Sequence, residues 1–225
     1  MRTTETDQVQ PLSSLHELQI RIQNLEAVDE IRQLAAKYAL AVDMRDFDAL
    51  VNLYTEDTRV SRTEQGRLAL KKKFASVMRQ FDATSHQIGN HIIELSDTDS
   101  ASASGIVYCY CQHEMQDQWV AMQMFYLDKY MRIDGKWLFQ WRLPCSWYAQ
   151  DVRSAPVGPM KIRWPGLPPR DGEFHAVFPS FAKFRDDPDA AMGAPENMDI
   201  HRFIEGMRRG HPLPRFASMN AKQEE

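Results

Sequence analysis

The chain lacks the features that bind nucleic acids, zinc or membranes. It has 27 Lys and Arg against 31 Asp and Glu, a formal net charge of −4 over 225 residues, and no basic stripe. Its three cysteines, Cys109, Cys111 and Cys145, have neither disulfide-framework nor zinc spacing. No apolar run approaches the ~18 residues that span a bilayer. The polar N-terminus is unlike a signal peptide, so we expect a cytoplasmic protein with neither nucleic-acid nor membrane partners.

Nucleotide-binding and nucleophile-activating motifs are absent from the sequence as well. There is no glycine-rich phosphate loop, no G-x-S-x-G elbow and no H-E-x-x-H pair. The sequence therefore predicts no cofactor and no metal. If the protein is an enzyme, acid–base groups are the chemistry that remains.

Proline is scarce in the first 150 residues, which hold only Pro11 and Pro144, whereas the last 75 residues hold the other ten. That second part is rich in aromatic residues, and disordered linkers are poor in them. We therefore expect an ordered but irregular segment that wraps around the rest of the protein. Its aromatic residues include Trp164, Phe174, Phe178, Phe181 and Phe184.

Hydrophobic periodicity divides the first 150 residues into helices followed by strands. Apolar spacings of three and four predict helices over 12–44, 46–54 and 67–81, with Asp46 as a capping residue. A period of two predicts strands over 86–95, 102–115, 118–133 and 136–143. Asp134-Gly135 marks a hairpin between the last two strands. Helices followed by an antiparallel meander define an α+β architecture.

Two polar residues interrupt apolar patterns. Asp43 follows an inward-looking helical face, so its carboxylate must be paired or hydrogen-bonded, or it simply ends the helix. His86 opens the first strand, where it is either a site residue or a satisfied structural histidine. Strict alternation places His86 and His91 on opposite faces of that strand, so the two could not share a metal ion.

Further candidates lie among the aromatic residues of the later strands: His113, Tyr126, Arg142 and Trp147. At this level, the lining of an aromatic pocket and ordinary core packing look alike.

The stretch from about Asn24 to Tyr148 resembles the SnoaL-like branch of the nuclear-transport-factor-2-like superfamily. The matching segments are IRQLAAKYALAVDMRDFDALVNLYTEDTRV, TSHQIGNHIIEL and YMRIDGKWLFQWRL. The resemblance implies a cone-shaped barrel, in which a curved antiparallel sheet and N-terminal helices enclose a pocket. We therefore divide the chain into an N-terminal tail and helix extension (1–23), the cone domain (24–150) and the proline-rich extension (151–225).

The resemblance also implies site residues. Scytalone dehydratase and hexachlorocyclohexane dehydrochlorinase, two members of the family, use an Asp–His pair, which Asp43 and His86 match by position. The resemblance further implies substrate contacts from Tyr38, His113, Tyr126 and Arg142, to which we add Trp147. The chain departs from the dehydratase at Val42 and Arg62, where that enzyme has tyrosines, which puts the dehydratase's own reaction in doubt.

The function implied is a cofactor-independent lyase that acts on a bulky aromatic molecule, such as a lignin-derived diaryl compound, by dehydration or by loss of a one-carbon aldehyde. The alternatives are an isomerase or cyclase of a polyketide or steroid, the non-catalytic small subunit of a dioxygenase, and a ligand-binding protein. The non-catalytic subunit would have no reason to keep Asp43 and His86 in contact. The apolar N-terminal helix and the proline-rich segment suggest a homodimer or homotrimer.

Overall fold

The computed structural model describes residues 14–61 and 63–173 and the single positions 175, 181, 187 and 189. Three helices come first: α1 (Leu15–Asp43), α2 (Phe47–Asn52) and α3 (Arg67–Met78). Four antiparallel strands follow and pair in sequence order: β1 (Ala83–Leu95), β2 (Ser102–Met115), β3 (Gln118–Ile133) and β4 (Lys136–Asp151). The predicted α+β architecture is confirmed. The sheet formed by these strands is open, with β1 and β4 at its edges, and is not a closed barrel.

Helix α1 packs against the sheet through residues spaced three and four apart. Ile31, Leu34, Ala35, Tyr38 and Val42 are all buried, and they join one hydrophobic core with the strands. By contrast, the first half of α1 is exposed, as its burial pattern indicates. The face of the sheet that packs against α1 is called the inner face below.

The turn between α1 and α2 follows the sequence prediction. The side chain of Asp46 accepts a hydrogen bond from the Ala49 backbone N–H (2.9 Å) and so caps α2. The predicted hairpin is also present. Asp134 and Gly135 both have positive φ, 50° and 77°, as a two-residue type I′ turn requires.

Strand β4 is longer than the sequence predicted, since it continues past Leu143 to Asp151. The predicted strand ended just before Pro144, which has no N–H for a ladder hydrogen bond. In the structure Pro144 lies inside β4, opposite Tyr126. An edge strand tolerates a proline because one side of its backbone needs no partner.

Three β-bulges, one in β1 and two in β4, change which residues face inward. The register of β1 shifts between Ile88 and His91, so His86 pairs with Cys111 and His91 pairs with Val107. Because Val107 and Cys111 lie on the same face of β2, both histidines face inward. The prediction that His86 and His91 lie on opposite faces was therefore wrong.

The start of the proline-rich extension packs along β4. Ile162 bridges Ala149 and Arg170, and the Glu173 backbone N–H donates to the Ser146 carbonyl (2.7 Å). The predicted positions Phe174, Phe178 and Phe184 lie outside the described residues. None of the described helices combines the length and the apolar character needed to cross a bilayer.

Candidate functional site

A cavity of about 310 Å³ lies between the helices and the inner face of the sheet. Its lining is mainly aromatic and sulfur-containing, and five of the residues predicted for the site take part in it: Tyr38, His86, His113, Tyr126 and Arg142. Among the other lining residues are Tyr54, Phe74, Phe81, Cys111, Met122, Met124 and Trp164. A cavity of this size suits a molecule with one or two rings.

The structure brings Asp43 and His86 into direct contact. Asp43 ends α1 and His86 lies near the start of β1, and Asp43 Oδ1 is 2.6 Å from His86 Nδ1. Asp43 Oδ2 also accepts a hydrogen bond from the His86 backbone N–H (2.8 Å). The carboxylate therefore holds both the ring and the main chain of the histidine.

These contacts fix the protonation states of the pair. Burial raises the pKa of Asp43, but the hydrogen bonds from the His86 ring, the His86 backbone and Thr84 together outweigh burial and lower it. Asp43 is therefore an ionised acceptor, and Nδ1 of His86 carries the proton between them. Nε2 of His86, which has no hydrogen-bond partner among the described residues, remains available at the cavity wall.

Two residues that the sequence did not single out orient Asp43. The Thr84 hydroxyl donates to Asp43 Oδ1 (2.9 Å), and Arg45 Nη1 donates both to Thr84 Oγ1 (2.6 Å) and to the Val42 carbonyl (3.0 Å). Because Arg45 occupies a lone pair of Thr84, the hydroxyl proton is left for the carboxylate. Arg45 reaches this position from a left-handed backbone conformation (φ 59°), an uncommon one for a non-glycine residue.

His113 lies beside His86 in the wall of the cavity. The two rings meet edge to face at 5.9 Å between centroids, and His113 also contacts Phe81 and Trp164. Burial, and then the charge of His86, lower the pKa of His113 to about 4. His113 is therefore uncharged at neutral pH, so it can take part in a hydrogen bond but contributes no positive charge to the cavity.

Arg142 forms a fully buried ion pair below the cavity. Its Nε and Nη2 donate to the two carboxylate oxygens of Asp128 at 2.8 Å and 2.6 Å, and its guanidinium lies 4.1–4.3 Å from the ring centroids of Tyr38, Tyr126 and Phe139. Nη1 of Arg142 is buried and has no hydrogen-bond partner among the described residues. The two N–H groups of Nη1 therefore have no acceptor in the part of the chain that the structure describes.

The tyrosines of the cavity remain neutral. Burial raises the pKa of Tyr38 to about 12 and raises the pKa of Tyr126 well above its usual value. Their hydroxyls can therefore donate hydrogen bonds but cannot serve as bases near neutral pH.

His91 belongs to a separate cluster, in which its Nε2 lies 3.0 Å from the Tyr130 hydroxyl.

Trp147 does not line this cavity. Trp147 is the extra residue in a bulge of β4, between Ser146 and Tyr148, which pair with Met124 and Gln123 of β3. Its ring packs against Tyr148 and His175. The expectation that Trp147 contributes to the pocket is therefore not met.

A different tryptophan, Trp164, lines the cavity instead of Trp147. It belongs to the proline-rich extension, lines the cavity and meets the His113 ring edge to face, with 5.1 Å between centroids. The sequence analysis named Trp164 among the aromatic residues of the extension but did not assign it to the site.

Among the residues that the structure describes, no group of three or more His, Cys, Asp or Glu side chains is arranged to hold a metal ion. Cys109 and Cys111, two positions apart on β2, face the same way and are free thiols with Sγ atoms 3.4 Å apart.

Together, the fold and the site define an α+β protein whose helices and open sheet enclose an aromatic cavity, and His86 in the cavity wall is paired with Asp43. The model of the SnoaL-like domain family matches residues 23–142, more than half of the chain. The protein therefore belongs to the SnoaL-like family. A search of curated protein sequences finds no match.

Solved structures share the fold at low sequence identity. A provisionally named scytalone dehydratase from Novosphingobium aromaticivorans is 22% identical, with a TM-score of 0.53, over 66% of this chain and 99% of that one. A type 2 hexachlorocyclohexane dehydrochlorinase (LinA) is 19% identical, with a TM-score of 0.53, over 65% and 99%. An NTF2-like protein with a cystatin-like fold, from Novosphingobium aromaticivorans, is 20% identical, with a TM-score of 0.50, over 60% and 90%.

Proposed function

We propose that the protein is a cofactor-independent lyase that acts on a bulky aromatic small molecule by acid–base catalysis. The observation that carries this proposal is the 2.6 Å contact that Asp43 makes with His86, a histidine that lines an aromatic cavity. The dehydratase and dehydrochlorinase names of similar structures are consistent with an elimination reaction.

His86 is the proposed general base. With Nδ1–H directed to the ionised Asp43, Nε2 has the lone pair that can remove a proton from a substrate in the cavity. Asp43 would then stabilise the imidazolium that forms, as the buried Asp does in a serine-protease triad. The proton removed comes from carbon in a dehydration, or from a hydroxyl in a retro-aldol cleavage that releases a one-carbon aldehyde.

The leaving oxygen or developing oxyanion would be met by neutral and cationic donors. Tyr126 and His113 offer neutral donors, and Arg142 offers the unpartnered Nη1–H of a permanent cation. A base of this kind typically contributes about 10²–10⁴ in rate, so positioning in the cavity must supply the rest.

The structure favours an enzyme over the non-catalytic alternatives. A dioxygenase small subunit or a ligand-binding protein has no need for a base that is oriented by a carboxylate, a hydroxyl and an arginine in series beside a cavity. An isomerase or cyclase would use the same pair, so the product must separate those activities from a lyase.

The test is turnover of a panel of aromatic diols and alcohols, read by mass for loss of water or formaldehyde. Wild-type protein should convert at least one compound, and His86→Asn should lower kcat by about 10²–10⁴. His91→Asn is the matched control, since His91 is on the same strand and inner face but does not line the cavity. Unchanged turnover in His86→Asn would remove His86 from the mechanism, and a product of unchanged mass would indicate an isomerase.

A further inference from the structure

The charges that line the cavity have one sign. Three lining residues are cations, Arg59, Lys73 and Arg142, and none of the described lining residues is a carboxylate. Arg142 is neutralised by Asp128, so the uncompensated charge belongs to Arg59 and Lys73. Because the whole chain has a net charge of −4, this positive cavity is not a consequence of overall composition.

Arg59 and Lys73 lie where the cavity opens to solvent. Both are exposed, whereas His86, Cys111 and Tyr126 at the inner wall are buried or nearly so. Lys73 Nζ donates to the Val60 carbonyl (3.1 Å), and Arg59 Nε donates to the Ser61 carbonyl (3.0 Å). Backbone contacts thus hold both side chains beside Val60, which itself lines the cavity.

The charged ends of these two side chains remain available. Neither Arg59 nor Lys73 forms an ion pair with any described residue, and both Nη groups of Arg59 are without a partner in that part of the chain. The nearby carboxylates Glu56, Asp57 and Glu64 are exposed and do not line the cavity. An arginine and a lysine at one opening can bind the two oxygens of a carboxylate.

We propose that the substrate is an aromatic carboxylate, whose acid group is held at the cavity opening by Arg59 and Lys73 while its rings fill the cavity toward His86. This inference rests on the proposed function and adds the charge of the substrate. The two cations also attract an anion toward the opening of an otherwise acidic protein. Exposed charge pairs contribute little each, so we expect a few-fold in affinity per cation and about tenfold for both.

The test compares two ligands that differ only in charge. Biphenyl carboxylate and biphenyl carboxamide each displace N-phenylnaphthylamine, a neutral dye that fluoresces in apolar cavities, from the full-length protein. Wild-type protein should bind the carboxylate about tenfold more tightly than the carboxamide, and the preference should fall as salt is added. Equal affinity for the two ligands, or a preference that salt does not change, would overturn the proposal.

Variants then assign the preference to residues. Arg59→Gln combined with Lys73→Gln should abolish the preference and leave carboxamide affinity unchanged, and each single variant should remove part of it. Lys72→Gln is the control, because Lys72 is an exposed neighbour on α3 that does not line the cavity. A preference that survives in the double variant would contradict the proposal. If the double variant fails to fold, the single variants and the wild-type salt series decide the question.

The binding assay needs no turnover, so the two proposals fail separately. Turnover of neutral aromatic compounds without any preference for the carboxylate would refute the anionic substrate alone. A clear carboxylate preference in a protein that converts neither the panel of diols and alcohols nor aromatic hydroxy acids added to it would refute the lyase alone.

Discussion

Replacement of Asp128 by asparagine should destabilise the protein strongly, because it leaves Arg142 charged and unpaired in the interior. The side chains of Asp128 and Arg142 are 0% and 3% exposed, and Asp128 accepts two hydrogen bonds from the guanidinium and one from the Tyr130 hydroxyl (2.8 Å). Asparagine has nearly the same shape, so packing is kept while the negative charge is removed.

The magnitude follows from the burial of the pair. Loss of one partner of a buried ion pair costs about 3–5 kcal/mol of unfolding free energy, since the other charge remains desolvated. For a chain of this size, each kcal/mol lowers Tm by roughly 2–4 °C, so Tm should fall by roughly 6–20 °C. The stacked rings around Arg142 soften the loss but do not replace the carboxylate.

Urea unfolding of Asp128→Asn, Arg142→Met and the double variant measures the effect. The double variant should be less destabilised than the sum of the two single variants, because it leaves no unpaired charge inside. Asp151→Asn is the control, since Asp151 binds Arg153 with similar geometry (2.7 Å) at the surface, and it should change little. Strictly additive single effects, or equal effects at positions 128 and 151, would refute the reasoning.

Three further outcomes are expected. Burial lowers the pKa of both His91 and His113 to about 4, whereas the unfolded chain protonates its histidines near pH 6.5. Stability should therefore fall as pH drops between these values, by up to ~3 kcal/mol for each of the two, and His113→Asn should reduce that slope in urea titrations. An unchanged slope would contradict it. Thr84→Val should lower kcat more than it changes dye affinity, whereas equal effects would indicate a packing role. Trp164→Ala should weaken dye binding several-fold; unchanged binding would place Trp164 outside the ligand site.

The order of helices and strands was predictable because it depends on local periodicity. The apolar spacing of α1, the cap at Asp46 and the hairpin at Asp134-Gly135 are all written in short stretches of sequence. Asp43 and His86 were paired by resemblance to a family. Local periodicity describes one helix or one strand at a time, so it cannot show that the end of α1 lies beside the start of β1.

The β-bulges explain why the predictions for His91 and Trp147 were wrong. An extra residue in β1 turned His91 inward, and one in β4 removed Trp147 from the alternation. Gly89 lies at the shift in β1, and a glycine inside a strand pattern is a signal for a bulge that the period-two assignment did not use. Thr84 and Arg45, the residues that orient Asp43, do so through contacts between residues about forty positions apart in the sequence, which no local pattern reveals. Trp164 reaches the cavity through the irregular extension, where no periodicity exists to predict a direction.

The central claim is that His86, oriented by Asp43, performs the reaction without a cofactor. The most direct test is a single-turnover reaction of purified, chelator-treated protein with its best substrate, followed by mass of the product. Wild-type protein should convert the substrate fully, and the rate should be lower by about 10²–10⁴ in both His86→Asn and Asp43→Asn. Loss of wild-type activity on chelation that added metal restores, or wild-type rates in both variants, would contradict it.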